Sequence, residues 1–256
     1  MFACFKRKLT SEIKVAQLSG YVAEHSAYHH GEVSLQTTIV SLAQRFVGSN
    51  NINLLMPNGQ FGTRVAGGKD AASARYIFTQ LSQVTRHIFN EHDDNVLNFL
   101  DEEGQSIEPE HYLPILPMVL VNGAEGIGTG WATSIPCYNP REIVENLRRM
   151  MKKQDPLPMM PWYKGFQGAI EPLPNNAKSF VVSGNFARVG DNELEITELP
   201  LGRWTREYKA MLEEKAQKGE VTEIREYHME NRVHFVVEIP KLDKMTDAQI
   251  FKEYKL

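Results

Sequence analysis

The sequence predicts an α+β fold for a chain of 256 residues, which is long enough for one large domain or two ordinary ones. Three observations support this class. Apolar residues recur at helical spacing over residues 15–46, strand-like segments separated by turns occupy much of residues 179–239, and one long helix is predicted among those strands. No run of 18 apolar residues occurs in the sequence, which therefore predicts no membrane span.

Two amphipathic helices are predicted near the start of the chain. The apolar residues on one face of each are Val15, Leu18 and Val22, then Leu35, Ile39, Leu42 and Phe46. A polar turn at residues 25–31 separates them, which makes a helix-turn-helix candidate. The next segment, residues 53–64, contains Pro57-Asn58-Gly59 and Gly62, which favour a turn or wing. A winged-helix domain is the simplest assembly of these parts, although such helix pairs also occur in ordinary helical cores.

Less regular segments follow. Ile77, Leu81, Val84 and Ile88 have helical spacing, although residues 77–79 could begin as a strand. Residues 93–114 are acidic and rich in turn formers. The apolar residues 113–121 are predicted as a strand that leads into the glycine-rich segment 123–130.

The second half of the chain combines helices and strands. Asn139-Pro140-Arg141-Glu142 predicts a helix start, with Asn139 as N-cap and Pro140 at the first helical position. After a proline-rich connection at 156–161, strands are predicted at 179–187, 193–199, 223–227 and 233–239, with a helix at 204–218. Turns at 190–192 and 230–231 predict hairpins, and Thr246 with Gln249 predicts a capping box for a last helix.

Charge is distributed unevenly along the chain, whose net charge is −4. Residues 1–90 carry nine Lys and Arg against four Asp and Glu, whereas residues 91–256 carry 19 against 28. The basic part suits a phosphate-binding face, and a solvated charge asymmetry between two domains explains the counts equally well. Cys4 and Cys137 have neither a disulfide framework nor zinc-ligand spacing, which fits a reducing compartment inside the cell.

Arg75-Tyr76 is the candidate catalytic pair. A tyrosine hydroxyl has an ordinary pKa of about 10, so it attacks phosphate only with a partner that holds the phosphate and favours the phenolate. An adjacent guanidinium can be that partner, because it stays charged and can bond two phosphoryl oxygens at once. Arg-Tyr is also a common dipeptide, and the pair taken alone favours an ordinary tyrosine at or near the surface.

Four further segments accompany this pair in order along the chain. They are AYHHGE at 27–32, FVGSNN at 46–51, GQFGTR at 59–64 and NGAEGIGTGW at 122–131. Together with residues 67–78 they resemble the DNA breakage-reunion region of eukaryotic type IIA DNA topoisomerases. The resemblance runs from about Phe2 to Leu256 and is strongest between Lys14 and Trp131. Ala74 departs from it, because many eukaryotic relatives have proline there.

The resemblance implies a winged-helix domain with the active-site tyrosine over residues 1–115 and an α+β tower domain over residues 116–256. It makes Tyr76 the nucleophile, Arg75 the stabiliser of transition-state charge and Ile127 a wedge that unstacks base pairs. The ordinary alternative for Ile127 is a buried residue in a tight turn.

DNA contacts are expected from a further set of residues. The resemblance supports contacts to phosphate or sugar from Tyr28, His29 and His30, and Gln60 belongs to one of the matching segments. Lys14, Arg45, Arg64 and Lys69 are candidate phosphate contacts, and each could equally be a solvated charge. Trp204 lies between Arg203 and Arg206, where the resemblance implies a DNA contact and a core tryptophan at a helix start is the alternative.

Nucleotide and metal sites are not predicted within the chain. The glycine segment lacks Gly-x-Gly-x-x-Gly, and Gly67-Gly68-Lys69-Asp70 lacks the Ser or Thr of a P-loop. His29-His30 has no completing ligand, and no paired carboxylates suit Mg²⁺. The resemblance implies that Mg²⁺ and ATP are used by other parts of a longer polypeptide, a homodimeric nuclear enzyme that acts on double-stranded DNA away from membranes.

Two other classes of protein compete with this interpretation. In a non-catalytic winged-helix DNA-binding protein, Tyr76 would be structural only. Tyrosine recombinases and relaxases also form phosphotyrosine, but the Arg and His sets that they need are not found in the sequence.

Overall fold

The computed structural model of the chain describes residues 1–174 and 176–256. Helices and strands are mixed throughout, as predicted. The chain forms two compact units. The first unit contains Met1–Arg45, Ser49–Gly62 and Asp70–Met159, and the second contains Phe46–Gly48, Thr63–Lys69 and Met160–Leu256. The predicted boundary between residues 115 and 116 lies inside the first unit, and the functional domains on either side of it stay a prediction.

The helices of the first unit are α1 (Phe2–Lys6), α2 (Val15–His25), α3 (Glu32–Ala43), α4 (Thr85–Ile88), α5 (Met118–Val121) and α6 (Pro140–Met151), with a 3₁₀ helix at Glu91–Val96. Its strands are β1 (Ile13–Lys14), β2 (Phe78–Thr79), β3 (Phe99–Glu102), β4 (Gln105–Pro109), β5 (Ala124–Gly128) and β6 (Trp131–Ile135). The strands pair antiparallel as β1 with β2, β3 with β4 and β5 with β6.

The predicted helix pair, α2 and α3, forms the core of the first unit. Val15 and Leu18 of α2 are buried in one cluster with Leu35 and Ile39 of α3. Burying a side chain of this size stabilises the fold by about 1.5–3 kcal/mol relative to leaving it exposed. The predicted apolar stripe continued to Phe46, but α3 ends at Ala43 because the next residue has an extended backbone.

The possible strand at residues 77–79 is confirmed, whereas the helical spacing from Ile77 to Ile88 gives a helix only over its last four residues. Phe78–Thr79 is strand β2, and only α4 at the end of the segment is helical. The backbone N–H of Phe78 donates to the carbonyl of Asn58 at 2.9 Å, and the N–H of Asn58 donates back at 3.2 Å. These bonds and the pairing with β1 satisfy the groups that a helix would have used.

The strand predicted over residues 113–121 is also wrong, because its last four residues form α5. Pro114 and Pro117 have no N–H to donate to a strand ladder. The acidic segment 93–114, predicted as turn-rich, contains the β3–β4 hairpin, whose turn includes Gly104 at a φ of 83°. The predicted cap of α6 is confirmed, since the Asn139 side chain accepts a hydrogen bond from the N–H of Arg141 at 3.0 Å.

The glycine-rich segment forms the β5–β6 hairpin. Ile127 is paired with Ala132, and Gly128 is paired with Trp131. Opposed residues share a face and successive residues alternate, so Ile127 and Trp131 project from opposite faces of the ribbon.

The elements of the second unit are β7 (Ala169–Leu173), β8 (Asn176–Ser183), β9 (Asn185–Arg188), β10 (Glu193–Glu198), α7 (Thr205–Gln217), β11 (Glu223–Glu226), β12 (Phe235–Glu238), a 3₁₀ helix at Leu242–Lys244 and α8 (Asp247–Tyr254). Strands β7 and β8 form a hairpin, and the other four form an antiparallel sheet in the order β11-β12-β10-β9. No helix in the described part of the chain is long and apolar enough to cross a membrane.

Most sequence predictions for the second unit are confirmed. The turns at 190–192 and 230–231 connect paired strands, and both hydrogen bonds of the Thr246–Gln249 capping box are present. The strand predicted over 179–187 is divided at Gly184. A Cβ at Gly184 would lie 2.3 Å from the carbonyl oxygen of Glu198, so the two backbones approach too closely for any side chain there.

The core of the second unit lies between its sheet and its two helices. The buried residues include Leu194, Ile196, Tyr208, Leu212, Phe235, Val237, Ile250 and Tyr254. The hydroxyl of Tyr208 donates to the carbonyl of Tyr254 at 2.9 Å, which links α7 to the end of α8 and satisfies a buried polar group.

A buried ion pair joins Arg64 to Glu198 at the end of β10, with side chains only 4% and 2% exposed. The Arg64 guanidinium also donates to the carbonyl of Leu199 at 3.2 Å. The Glu198 carboxylate accepts further hydrogen bonds from the N–H of Leu199 at 2.7 Å and of Gln167 at 3.1 Å. Both charges are therefore paired and hydrogen-bonded, which is what a charge away from water requires.

Glu198→Ala is expected to destabilise the fold by about 3–5 kcal/mol, because it leaves the Arg64 charge buried without a partner. Denaturant unfolding measures the loss. The control is Glu193→Ala on the same strand, which removes one of the two carboxylate partners of the half-exposed Arg225 and is expected to cost about 1 kcal/mol or less. Equal losses in the two variants would contradict the structural role of the buried pair.

Candidate active site

Tyr76 lies in a short turn with its side chain 69% exposed. Its N–H donates to the carbonyl of Ser73 at 2.9 Å. On either side the backbone is fixed to the start of α2, since Ala16 N–H donates to the Ala74 carbonyl and Val15 N–H donates to the Ile77 carbonyl, both at 3.0 Å. The hydroxyl is therefore presented to solvent from a backbone that is held on both sides.

Arg75 lies directly beside Tyr76. The centre of its guanidinium is 5.5 Å from the centre of the Tyr76 ring, and its Nε donates weakly to the Ser73 hydroxyl at 3.4 Å. Within residues 1–174 and 176–256, no carboxylate lies within ion-pair distance of this guanidinium. Its remaining N–H groups are thus available to an anion that approaches the Tyr76 hydroxyl.

Two other predicted residues lie next to this segment. The carbonyl of Gln60 accepts a hydrogen bond from Ala72 N–H at 2.9 Å, and the exposed Gln60 side chain accepts from Gly62 N–H at 3.3 Å. Lys14 occupies the position just before α2, is exposed, and has its ammonium 6.0 Å from the Phe78 ring. Hydrogen bonds and strand pairing therefore bring Tyr76, Arg75, Gln60 and Lys14 into one neighbourhood of the first unit.

Tyr28, His29 and His30 form the turn between α2 and α3. Tyr28 is half-buried and its hydroxyl donates to Ser34 at 3.3 Å, whereas both histidines are exposed. The rings of His29 and His30 are 4.3 Å apart, and that of Tyr28 lies edge-on to His30 at 5.5 Å. This aromatic turn, together with the exposed Arg45 just after α3, presents hydrogen-bond donors and positive charge at the surface of the unit.

Ile127 is 91% exposed and Trp131 is 84% exposed on the β5–β6 hairpin. This exposure rules out the alternative of a buried isoleucine in a tight turn. Trp131 was not among the predicted site residues. Its place opposite a glycine in a hairpin could have been inferred from the alternating glycines around it.

The structure corrects one predicted contact and partly buries another. Arg64 is 3% exposed and paired with Glu198, so its charge is not available to a phosphate. Trp204, at the N-cap of α7, is half-buried, with its ring 5.9 Å from that of Phe46 and packed on Gly48 and Gly67, and its DNA contact stays a prediction. Lys69 is exposed as predicted, with its ammonium 3.7 Å from the Glu207 carboxylate.

The part of the chain that the structure describes contains no assembled metal site and no exposed cysteine. No group of three or more His, Cys, Asp or Glu could hold a metal ion there. Cys4 and Cys137 are buried free thiols, and burial raises the pKa of Cys137 to about 11, which keeps the thiol protonated at neutral pH. The candidate group of the first unit remains the exposed Tyr76 hydroxyl beside the Arg75 guanidinium.

The whole chain, residues 1–256, matches the family of A subunits of DNA gyrase/topoisomerase IV. It is 58% identical to DNA topoisomerase 2 top-2 of Caenorhabditis elegans, over 98% of this chain and 17% of that protein. It is 51% identical to the mitochondrial DNA topoisomerase 2 of Dictyostelium discoideum, over 100% of this chain and 20% of that protein.

A solved structure is also closely similar. The topoisomerase II DNA-binding, cleavage and re-ligation domain of Plasmodium falciparum superposes with a TM-score of 0.96 at 49% identity, covering 100% of this chain and 35% of that one. The chain thus spans only a minor part of the length of the proteins that it matches. The resemblance drawn from the sequence motifs is confirmed over the whole chain.

Proposed function

Because the chain belongs to the family of DNA gyrase/topoisomerase IV A subunits, we propose that it is the DNA breakage-reunion part of a eukaryotic-type, ATP-dependent type II DNA topoisomerase. Its double-stranded DNA substrate would be cut and resealed so that another duplex can pass. The helix pair α2–α3 with the turn-rich segment after it supports a winged-helix domain within residues 1–115. The sheet and helices of the second unit support a tower domain within residues 116–256.

In the proposed reaction Tyr76 attacks a phosphodiester of DNA. A bond forms between its hydroxyl oxygen and phosphorus while the bond from phosphorus to the 3′ oxygen breaks. The phenol loses its proton and the departing 3′ oxygen leaves as a hydroxyl, so the protein remains linked to the 5′ end. Arg75 binds the non-bridging oxygens and stabilises the charge that develops on them. Since one phosphoester replaces another, resealing is the reverse of the same step.

DNA would be held by the exposed residues of the first unit. Tyr28, His29, His30, Lys14, Arg45 and Gln60 are proposed to contact phosphate and sugar, with Lys69 of the second unit as an additional phosphate contact. Arg64 is omitted because it is buried in an ion pair, whereas a DNA contact from the half-buried Trp204 stays a prediction.

The complete protein is proposed to need more than this chain supplies. Mg²⁺ and ATP would be bound by its other parts. Mg²⁺ would stabilise the negative charge of the phosphodiester that Tyr76 attacks. Cutting both strands with one tyrosine per protomer requires a homodimer. The proposed location is the nucleus, and imaging of the tagged full-length protein tests it. A purely mitochondrial signal would contradict this location and agree with the name of the Dictyostelium relative.

The observation that carries the proposal is the exposed Tyr76 hydroxyl beside Arg75 on a fixed backbone. The test incubates the full-length protein with supercoiled circular DNA, then adds denaturant and protease. Linear DNA with peptide on its 5′ ends is expected. Circles that stay intact under conditions favouring cleavage would instead support a non-catalytic winged-helix DNA-binding protein, and peptide on 3′ ends would contradict the proposed polarity.

Ile127→Ala is expected to reduce DNA bending and to lower cleavage about tenfold, because unstacking a base step costs a few kcal/mol that an apolar wedge must offset. Energy transfer between labels at the two DNA ends measures the bend. Affinity and its salt dependence should change little, since phosphate contacts remain.

The control for this variant is Leu100→Ala, which shortens an exposed residue of the β3–β4 hairpin in the same unit. It should bend DNA as the unmodified protein does. Because Ile127 is exposed, neither substitution should change the melting temperature appreciably. Bending retained by Ile127→Ala would show that the residue is not a wedge.

A further inference from the structure

The loop of residues 63–69, which we call the anchor loop, leads directly into the segment that carries Tyr76. It belongs to the second unit, whereas residues 70–76 belong to the first. Within the anchor loop the N–H of Gly68 donates to the Thr63 carbonyl at 2.9 Å. Gly67 and Gly68 have φ angles of 61° and 82°. The loop is therefore closed by two residues in the left-handed backbone conformation, which glycine adopts without steric cost.

Three contacts fix the anchor loop to the start of α7 and the end of β10. The buried Arg64–Glu198 ion pair is the first. In the second, the N–H of Arg206 donates to the carbonyl of Val65 at 2.9 Å. The third is the packing of the Trp204 indole on Gly67, which is so close that a Cβ at Gly67 would lie 2.3 Å from Cε2 of the ring.

Trp204 also contacts a second loop of the same unit. A Cβ at Gly48 would lie 3.5 Å from the far edge of the indole, and the Phe46 ring meets the indole edge-on at 5.9 Å. One side chain thus touches both of the segments, 46–48 and 63–69, that come from the first 76 residues of the chain and belong to the second unit. The packing of the indole on both segments is not explained by a role of Trp204 in contacting DNA.

We propose that Trp204 and the Arg64–Glu198 pair are positioning residues for DNA cleavage, because they hold the anchor loop from which the Tyr76 segment starts. The inference rests on the proposed cleavage function. The other side of the segment is held in the first unit, where the N–H of Ala72 donates to Gln60 and the carbonyls of Ala74 and Ile77 accept from the start of α2. With the anchor loop displaced, the Tyr76 hydroxyl meets the phosphate less often in line, and a misplacement of about 1 Å can cost about 100-fold in rate.

The test is Gly67→Ala in the full-length protein, since the added methyl collides with the indole and displaces the anchor loop. The control is Gly219→Ala at the end of α7, where φ is 73° and nothing lies within 4 Å of the added Cβ. Both glycines have a positive φ, so alanine strains the backbone at either position, and only the first variant disturbs Trp204. We expect single-turnover cleavage by Gly67→Ala to fall about tenfold or more, and cleavage by Gly219→Ala to stay within about twofold of the unmodified rate.

Two further measurements separate positioning from loss of fold. The Kd for DNA should stay within about threefold of the unmodified value in both variants, since Lys69 is the one proposed phosphate contact that lies in the anchor loop and the others are untouched. A double-mutant cycle with Trp204→Leu, whose shorter side chain makes room for the methyl, should show strongly non-additive losses in cleavage rate. If Gly67→Ala does not accumulate as folded protein, Trp204→Phe takes its place and is expected to cleave about tenfold more slowly with unchanged affinity.

Equal cleavage rates in Gly67→Ala and Gly219→Ala would overturn the inference, and so would additive losses in the cycle. Trp204→Phe with a normal cleavage rate would do the same when it stands in for Gly67→Ala. Each of these results leaves the proposed function intact. A failure of the proposed function is seen separately, as an absence of covalent complex in the unmodified protein.

Discussion

A Tyr76→Phe variant of the full-length protein is expected to bind and bend DNA normally while forming no covalent complex with it. The substitution removes one oxygen and keeps the ring, and the exposed ring contributes little to the core. Loss of an essential nucleophile costs at least about 10⁴-fold in rate, so linear DNA should fall below detection. Gel analysis after denaturant and protease measures the product, and anisotropy of labelled DNA measures binding.

Tyr227→Phe is the matched control, because Tyr227 is also exposed, at 54%, but lies in the second unit. It should cleave at the unmodified rate. Appreciable covalent complex with Tyr76→Phe would assign the nucleophile to another residue. Peptide mapping of the DNA-linked fragment would then identify that residue directly.

Arg75→Lys is expected to lower the cleavage rate by about 10²–10³-fold, which is the usual cost of removing one donor that stabilises transition-state charge. Lysine keeps the charge but offers a single ammonium in place of a planar fork with two parallel donors. Binding of uncleaved DNA should change little, because the other exposed basic residues remain. Single-turnover cleavage at saturating DNA isolates the rate from the affinity.

The control for Arg75 is Arg141→Lys, at an exposed position on α6 of the same unit. It should cleave normally. A weakened affinity with an unchanged rate in Arg75→Lys would show that Arg75 binds phosphate generally and does not act on the transition state.

The sequence predicts helices well where a single face packs on a local neighbour. The apolar faces of α2 and α3 pack on each other across a short turn, so the periodicity of the apolar residues is enough to predict both helices. The segment after Tyr76 has the same periodicity, but its backbone pairs with β1 and with Asn58, far away in sequence. Long-range hydrogen bonds outweigh helical spacing there, and the local pattern indicates only a possible strand start at residues 77–79, without its partners.

The site residues also divide into those whose exposure follows from local sequence and those whose environment depends on a distant residue. Tyr76, Arg75 and Ile127 lie in turns or at a hairpin, where motifs and glycines mark exposure, and the structure places their side chains in solvent. Arg64 has the same appearance in the sequence as an exposed phosphate-binding arginine. Only its partner Glu198, separated from it by 134 residues, shows that its charge is internal.

That separation has a consequence for the order of events during protein synthesis. A ribosome adds about 5–20 residues per second, so the Tyr76 segment precedes Glu198 by on the order of ten seconds. During this interval Arg64 lacks its partner Glu198. Val65 lacks its hydrogen bond from Arg206, and Gly67 lacks its contact with Trp204. The anchor loop is completed only when residues 198–206 have emerged. A nascent or prematurely terminated chain would therefore carry Tyr76, the proposed nucleophile, before the contacts of the anchor loop have formed.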